Sequence, residues 1–193
     1  MKLVFASNNS HKLEEVRRIL SPLEVLSLRE IGFEGEIDET GATLEENSRI
    51  KAEAVAAFIG KDAIVFADDT GLEIEALGGE PGVYTARWAG EPACDANNRK
   101  KALEELEGQS NRRARFRTVV TVIGGGMNMQ VEGEVRGIMG TEEKGDKGFG
   151  YDPLFIPDGY DKTFAELPAE VKNHISHRAR AMEKLKKVLS SKY

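Results

Sequence analysis

The chain has little cysteine and no long apolar run, and each shortage excludes a class of protein. Cys94 is the single cysteine among 193 residues, so no intramolecular disulfide can form, as is usual in a reducing compartment. No segment approaches the ~20 consecutive apolar residues that span a bilayer, and the first apolar run is too short for a signal peptide. These shortages predict a cytoplasmic protein with no membrane partner.

The chain also lacks an excess of positive charge. It carries 27 basic and 33 acidic residues, which gives a formal net charge of −6. A general nucleic-acid binder needs an extended basic face, so we expect no nucleic-acid partner. A free nucleotide is compatible with this balance because a small site needs only a few local cations. The apolar fraction of 40% supports a folded core, and we expect one domain over residues 1–193.

Strand and helix patterns alternate along the first half of the chain. Leu3–Ala6 is strand-like, and Lys12–Leu20 has apolar residues at the three- and four-residue spacing of a helix. In the second half, Arg115–Ile123 and Gln130–Val135 flank the turn Gly124–Gly126 and predict a hairpin. This order predicts an α/β protein with a mixed β-sheet flanked by helices.

Two further helices begin at recognisable capping residues. Thr43 opens a capping box, and its helix is expected to run to Phe58, with Phe58 facing the core, before Gly60 ends it. Asp95 is expected to cap a helix that runs through Leu106.

Adjacent carboxylates, Asp68 and Asp69, follow the buried strand predicted at Ala63–Phe66. We expect this strand to end at the two aspartates, and the carboxyl ends of strands in an α/β sheet are where ligands usually bind. Burying an unpaired carboxylate is costly, so the site predicts a cation, and a divalent metal is the first candidate. Neighbours in an extended strand point to opposite faces, so we expect only one aspartate to be functional. The pattern does not choose between them.

The loop after the first strand is a candidate phosphate site. Helix amino termini offer free N–H groups and a partial positive charge, and a lysine adds a full charge. The alternative is a plain helix cap with a surface lysine, since the Walker pattern is missing. The loop consists of Ser7, Asn8, Asn9, Ser10, His11 and Lys12.

Two other segments favour binding of a nucleobase. An aromatic ring beside exposed backbone, as in Phe149–Asp152, suits stacking on a base, whereas the alternative is a glycine-rich turn with a core Phe. Lys172 and Ser176–Arg178 form a cationic cluster at a helix start, whereas the alternative is a capped helix with exposed basic residues. No hydrolase signature such as Gly-x-Ser-x-Gly is present, so a covalent mechanism is not expected.

Five motifs occur in the order found in one family. They are Ser7-x-Asn9-x-x-Lys12, Ala67–Leu72, the run Gly78-Gly79-x-Pro81-Gly82-x-Tyr84-x-Ala86-Arg87, Phe149–Pro153 and Ser176–Arg178. By these motifs the chain resembles, over nearly its whole length, the inosine/xanthosine triphosphate pyrophosphatases, which sanitise the nucleotide pool.

The resemblance implies hydrolysis of noncanonical purine nucleotides, namely ITP, dITP and XTP, to the monophosphate and pyrophosphate with Mg²⁺. It also implies an elongated mixed sheet, two lobes with the active site in the cleft between them, and a homodimer. Two alternatives stay open: a house-cleaning pyrophosphatase acting on other modified nucleotides, and a nucleotide-binding module with no turnover.

Site residues are implied by position in the motifs. Asp69 would be the catalytic carboxylate and a metal ligand, and Glu39 would be the second ligand, with Asp38 adjacent. The segment from Ser7 to Lys12 would hold the triphosphate, and Thr70 would touch the substrate. The residues implied around the base are Phe149, Gly150, Tyr151, Asp152, Lys172, His177 and Arg178.

Overall fold

The computed structural model describes residues 2–191, so residues 1, 192 and 193 of the predicted domain lie outside the described residues. Short 3₁₀ helices at Glu75–Leu77 and Gly82–Arg87 precede the third α-helix. No helix within residues 2–191 has the length and apolar character needed to cross a membrane. The strands and α-helices, in chain order, are β1 (Lys2–Phe5), α1 (Ser10–Leu20), β2 (Val25–Leu26), α2 (Leu44–Ile59), β3 (Ala63–Ile74), α3 (Asp95–Glu105), β4 (Arg113–Gly124), β5 (Met127–Met139), β6 (Phe155–Pro157), α4 (Ala169–Ile175) and α5 (His177–Ser190).

The strands form one six-stranded sheet in the order β2-β1-β3-β4-β5-β6. β1 is parallel to both β2 and β3, whereas β5 and β6 are antiparallel, so the sheet is mixed. β4 and β5 are joined by Gly125 and Gly126, whose φ angles of 59° and 75° suit the two-residue turn of a tight hairpin. The predicted α/β class, with a mixed sheet flanked by helices and a β4–β5 hairpin, is confirmed.

The chain divides into two compact units. Unit 1 takes the residues up to 69, 118–133 and those from 178 onward, and unit 2 takes 70–117 and 134–177. In unit 1, Phe5 stacks on Phe66 with ring centroids 5.0 Å apart. In unit 2, Phe155 packs against Phe116 at 4.8 Å and Phe164 at 5.3 Å. Each unit therefore has an aromatic-rich core of its own.

Helix α2 begins and ends as predicted but presents a different face to the core. The Thr43 hydroxyl accepts from the Glu46 N–H at 3.1 Å, and Gly60 with φ +82° ends the helix. The expected burial of Phe58 is wrong, because this ring is 54% exposed. The buried stripe passes through Ala52 and Val55 and continues to Ile59, one residue beyond Phe58.

Strand β3 does not end before the two aspartates, and this expectation is wrong. The strand runs for 12 residues, from Ala63 through Asp68 and Asp69 to Ile74. It lies between β1 and β4 in the sheet, and its last residues are buried with the core of unit 2. The backbone around the aspartates is therefore extended, and successive side chains alternate between the two faces.

Helix α3 begins at Asp95 itself, with Cys94 in the capping position and no side-chain cap. The expected capping role of Asp95 is wrong, because its carboxylate accepts from the Gly150 N–H at 2.9 Å. The short elements β6 and α4 are additional to the predicted ones.

Candidate active site

Asp68 is a buried carboxylate with a cation on each oxygen. Its side chain is 2% exposed, Oδ1 accepts from Lys12 Nζ at 3.1 Å, and Oδ2 accepts from Arg178 Nε at 3.3 Å. Burial by itself would raise the pKa of Asp68, but Lys12, Arg178 and Lys51 hold this pKa well below its usual range. Asp68 is therefore ionised, and each of its oxygens is paired with a cation.

The two cations differ in their own surroundings. Arg178 is 5% exposed, and its Nη1 also donates to Glu15 Oε2 at 2.9 Å. Burial would lower the pKa of Arg178, but Asp68 and Glu15 together raise it. For Lys12, burial prevails over the attraction of Asp68 and lowers its pKa. The row Glu15, Arg178, Asp68 and Lys12 alternates in charge across α1, β3 and α5 within unit 1.

Asp69, the next residue of β3, lies in a different setting. Lys51 of α2 contacts Glu39, and its Nζ lies 3.6 Å from Asp69 Oδ1. Asp69 Oδ2 is buried and has no hydrogen-bond partner among residues 2–191. Burial raises the pKa of Asp69, and the nearby Glu39 raises it further against the opposing charge of Lys51. Asp69 is therefore the aspartate with unused bonding capacity.

Glu39 and Asp69 provide hard oxygen ligands of the kind that Mg²⁺ prefers. Within residues 2–191, no group of three or more His, Cys, Asp or Glu side chains is placed to hold a metal ion. Mg²⁺ is often held by one or two carboxylates together with substrate phosphates, and the partnerless Asp69 oxygen fits that mode. Asp38 is exposed, so Glu39 is the acid of this loop that reaches the Lys51 and Asp69 pair.

The Ser7–Lys12 loop contains a helix cap, and its lysine is engaged with Asp68. Asn9 Oδ1 accepts from the Lys12 N–H at 3.1 Å, and Ser7 Oγ accepts from the Asn9 N–H at 3.1 Å. Asn8 Oδ1 accepts from the Arg29 N–H at 3.0 Å. Ser10 and His11 are exposed at the helix start. The alternative of a plain helix cap is right for Asn9, which caps α1. It is wrong for Lys12, which is paired with the buried Asp68 and is not a free surface lysine.

In unit 2, Phe149, Asp152 and Lys172 lie together. Phe149 is 57% exposed, and Lys172 Nζ lies 4.7 Å from its ring centroid. Lys172 Nζ donates to Asp152 Oδ2 at 2.5 Å, and the same oxygen accepts from the Phe149 N–H at 3.0 Å. The alternative of a core Phe is wrong, because Tyr151 is the buried aromatic, with its hydroxyl donating to Thr85 O at 2.6 Å.

The remaining predicted residues are divided between the units. His177 belongs to unit 2, is 8% exposed and stacks on Phe116 with ring centroids 5.0 Å apart. Arg178 belongs to unit 1 and is bound to Asp68 as described. Thr70 follows Asp69 on β3 and is half-buried. The alternative of exposed basic residues is wrong for His177 and Arg178, which are both buried.

The sequence reasoning missed Lys51 and Glu15. Lys51 follows Leu44 by seven residues on α2 and precedes Val55 by four, so it occupies the helix face that Leu44 and Val55 bury. A lysine on such a face needs a carboxylate partner, and this signal was available in the sequence. Glu15 follows Lys12 by three residues on α1, and no comparable signal marks it.

The pairing of Asp68 predicts a large loss of stability on substitution. Asp68→Asn leaves Lys12 and Arg178 facing a neutral amide, and loss of one partner of a buried ion pair typically costs ~3–5 kcal/mol. We expect the free energy of unfolding in urea to fall by about that amount. Asp158→Asn is the matched control, because its pair with Arg113 at 2.8 Å is exposed and such pairs contribute ~0–1 kcal/mol. Equal losses in the two variants would contradict the interpretation of Asp68.

The chain is similar to known proteins over nearly its whole length. The model of the Ham1 family matches residues 3–188. The dITP/XTP pyrophosphatase of Bacillus subtilis is 50% identical over 193 residues, covering 97% of this chain and 96% of that protein. The dITP/XTP pyrophosphatase of Flavobacterium johnsoniae is 46% identical over 192 residues, covering 99% of each chain.

A solved structure agrees with the fold as well. The Staphylococcus aureus Ham1 protein superposes with a TM-score of 0.93 at 40% identity and covers 100% of both chains. The family resemblance predicted from the motifs is confirmed. By the family-model match and by identity over its whole length, the chain belongs to the Ham1 family.

Proposed function

We propose that this chain hydrolyses the noncanonical purine nucleoside triphosphates ITP, dITP and XTP to the monophosphate and pyrophosphate. The observation that carries the proposal is the contrast between Asp68, which is saturated by cations, and Asp69, whose buried Oδ2 has no partner among residues 2–191. A partnerless buried carboxylate oxygen is costly unless a ligand completes it. The relatives named dITP/XTP pyrophosphatases support the choice of substrate.

Unit 1 supplies the groups proposed for the triphosphate. The start of α1, from Ser7 to Lys12, offers backbone N–H groups to phosphate oxygens. The ammonium groups of Lys12 and Lys51 offset negative charge as the leaving pyrophosphate develops it. Burial would lower the pKa of Lys51, but Asp68, Asp69 and Glu39 raise it, so this lysine stays charged at neutral pH.

Asp69 is proposed as the group that orients and deprotonates the attacking water. The water oxygen forms a bond to the α-phosphorus, the bond from that phosphorus to the bridging oxygen breaks, and pyrophosphate carries away the electron pair. Mg²⁺, when held by Glu39 and Asp69, supplies positive charge that offsets charge on the phosphates.

Unit 2 supplies most of the groups proposed for the base. The exposed ring of Phe149 suits stacking, and Lys172 beside it suits donation to the 6-oxo group of hypoxanthine or xanthine. Adenine has an amine donor at that position, which would face the donor of the protein. The proposed base-binding set is completed by Gly150, Tyr151, Asp152, His177 and Arg178, with Thr70 touching the substrate.

The proposal also includes residues 1–193 acting as one functional domain, a homodimeric assembly and a cytoplasmic location. The single domain rests on the length and apolar fraction of the chain, the dimer rests on the family resemblance, and the location rests on the single cysteine and the lack of long apolar runs. Each of these stays a prediction.

The proposal predicts pyrophosphate release from a defined set of nucleotides. Purified protein with Mg²⁺ should release pyrophosphate from dITP, ITP and XTP at least ~100-fold more efficiently, in kcat/KM, than from ATP, whose 6-amine would face the Lys172 donor. Preference for a modified pyrimidine or methylated nucleotide would favour the broader house-cleaning alternative. Tight nucleotide binding without pyrophosphate release would favour the non-catalytic alternative and contradict the proposal.

The role of Asp69 predicts a loss confined to turnover. Asp69→Asn keeps the size of the side chain but removes the base, and general-base catalysis contributes ~10²–10⁴-fold. We expect kcat for dITP to fall by at least ~10²-fold with a smaller change in KM. Asp62→Asn, at an exposed aspartate of the same unit, should leave kcat unchanged. Turnover of Asp69→Asn near that of the wild type would refute the assignment.

The role of Lys172 predicts a change in base preference. Lys172→Ala removes a charged donor, and such hydrogen bonds contribute ~1.5–3 kcal/mol, so we expect the dITP to dATP ratio of kcat/KM to fall about tenfold or more. Lys162→Ala, at an exposed lysine of the same unit, is the control and should leave the ratio unchanged. Arg178→Ala is a poorer test because it also uncovers the buried charge of Asp68. An unchanged ratio in Lys172→Ala would contradict the role of this lysine.

A further inference from the structure

Helix α3 forms hydrogen bonds with both the N–H and the carbonyl of Gly150, which lies in the turn Phe149–Asp152. Asp95 Oδ2 accepts from the Gly150 N–H at 2.9 Å, and Arg99 Nη1 donates to Gly150 O at 3.0 Å. Asp95 and Arg99 are four residues apart, so they lie on one face of α3, one turn from each other. The pair therefore binds Gly150 from both sides of its α-carbon.

Side-chain hydrogen bonds also hold Tyr151 and Asp152 of this turn. Asp152 accepts from the Phe149 N–H, and Tyr151 is held through its hydroxyl by Thr85. Gly150 has φ +61°, and a Cβ there would meet no atom within 4 Å, so the glycine serves the backbone conformation and not a close contact. The Phe149 ring is the large exposed group of an otherwise anchored turn.

We propose that Asp95 and Arg99 are positioning residues for base recognition: they fix the Gly150 peptide groups and thereby the direction of the Phe149 ring beside Lys172. The inference rests on the proposed function, since it supposes that Phe149 stacks on the base. Neither side chain is assigned a contact with substrate, because Asp95 accepts from Gly150, and Arg99 donates to Gly150 and forms an ion pair with Glu143, with its Nε 3.1 Å from Oε1.

Loss of the hydrogen bonds from Asp95 and Arg99 to Gly150 affects substrate binding more than the rate of hydrolysis. A free Gly150 explores many backbone conformations, since glycine is the least restricted residue, and the neighbouring ring turns with it. The ring then loses the orientation that it needs beside a base, and that loss appears in KM and in base preference. The Asp69 groups in unit 1 are unchanged, so kcat for a saturating substrate is retained.

The test compares Arg99→Met with Lys101→Met. Both changes remove a cation of α3 that donates to a backbone carbonyl, but Lys101 Nζ donates to Trp88 O at 3.1 Å and not to the Phe149 turn. We expect Arg99→Met to raise KM for dITP about tenfold, to keep kcat within about twofold, and to lower the dITP to dATP ratio of kcat/KM. Lys101→Met should leave KM and the ratio unchanged, whatever its effect on the melting temperature.

A second pair of variants tests the hydrogen bond from the Gly150 N–H to Asp95. Asp95→Ala removes the acceptor for the Gly150 N–H and should raise KM as Arg99→Met does, whereas Asp95→Asn keeps an acceptor oxygen and should restore most of the wild-type KM. Rescue by asparagine would distinguish positioning from loss of charge. The melting temperatures of all variants show whether KM changes with the loss of a hydrogen bond to Gly150 or with the stability of the whole protein.

The outcomes separate this inference from the proposed function. A wild-type protein that releases no pyrophosphate from dITP would overturn both. Normal wild-type turnover with an unchanged KM in Arg99→Met and Asp95→Ala would overturn the inference and leave the proposed function standing. The inference would also fail if Lys101→Met raised KM as much as Arg99→Met, because KM would then follow the general packing of α3.

Discussion

The buried ion pairs of Asp68 are the constraint on which the candidate phosphate site depends. A carboxylate that is 2% exposed within β3 requires compensation, and it receives one cation from α1 and another from α5. Because each Asp68 oxygen has its own partner, the Lys12 ammonium and the Arg178 guanidinium are fixed relative to the central strand. The start of α1, which is the proposed phosphate-binding segment, is fixed with them.

Strand geometry then gives the neighbouring aspartate the opposite character. In an extended chain, Asp69 points to the opposite face of the sheet from Asp68, whose oxygens accept the hydrogen bonds of Lys12 and Arg178. Asp69 lies near Lys51 and Glu39, has one buried oxygen without a partner among residues 2–191, and has a raised pKa, whereas the pKa of Asp68 is lowered. Two identical side chains in adjacent positions therefore have different surroundings, and this difference supports the proposal that Asp69 is the one that takes part in the chemistry.

Local patterns predicted the elements, and long-range partners decided the site. The Thr43 cap, the β4–β5 hairpin and the class of the sheet follow from turn chemistry and periodicity, which are properties of neighbouring residues. The expected end of β3 before Asp68 was wrong because the strand continues between two sheet neighbours, which no local pattern shows. Asp95 was misassigned for the same reason, since its partner, Gly150, lies 55 residues away. The choice of Asp69 over Asp68 came from the family resemblance and remains a prediction.

The charges of the cluster explain why the proposed chemistry calls for an added cation. The cations Lys12, Lys51 and Arg178 face a larger number of carboxylates, those of Glu15, Glu39, Asp68 and Asp69. A triphosphate adds several negative charges. Lys12 and Lys51 do not balance these charges, because both lysines are already paired with carboxylates. A divalent cation, if held by Glu39 and Asp69, would supply further positive charge and a partner for the Asp69 oxygen that has none among residues 2–191. The excess of carboxylates over cations in this cluster therefore supports the proposal of a divalent cation, because a bound triphosphate would only increase the negative charge.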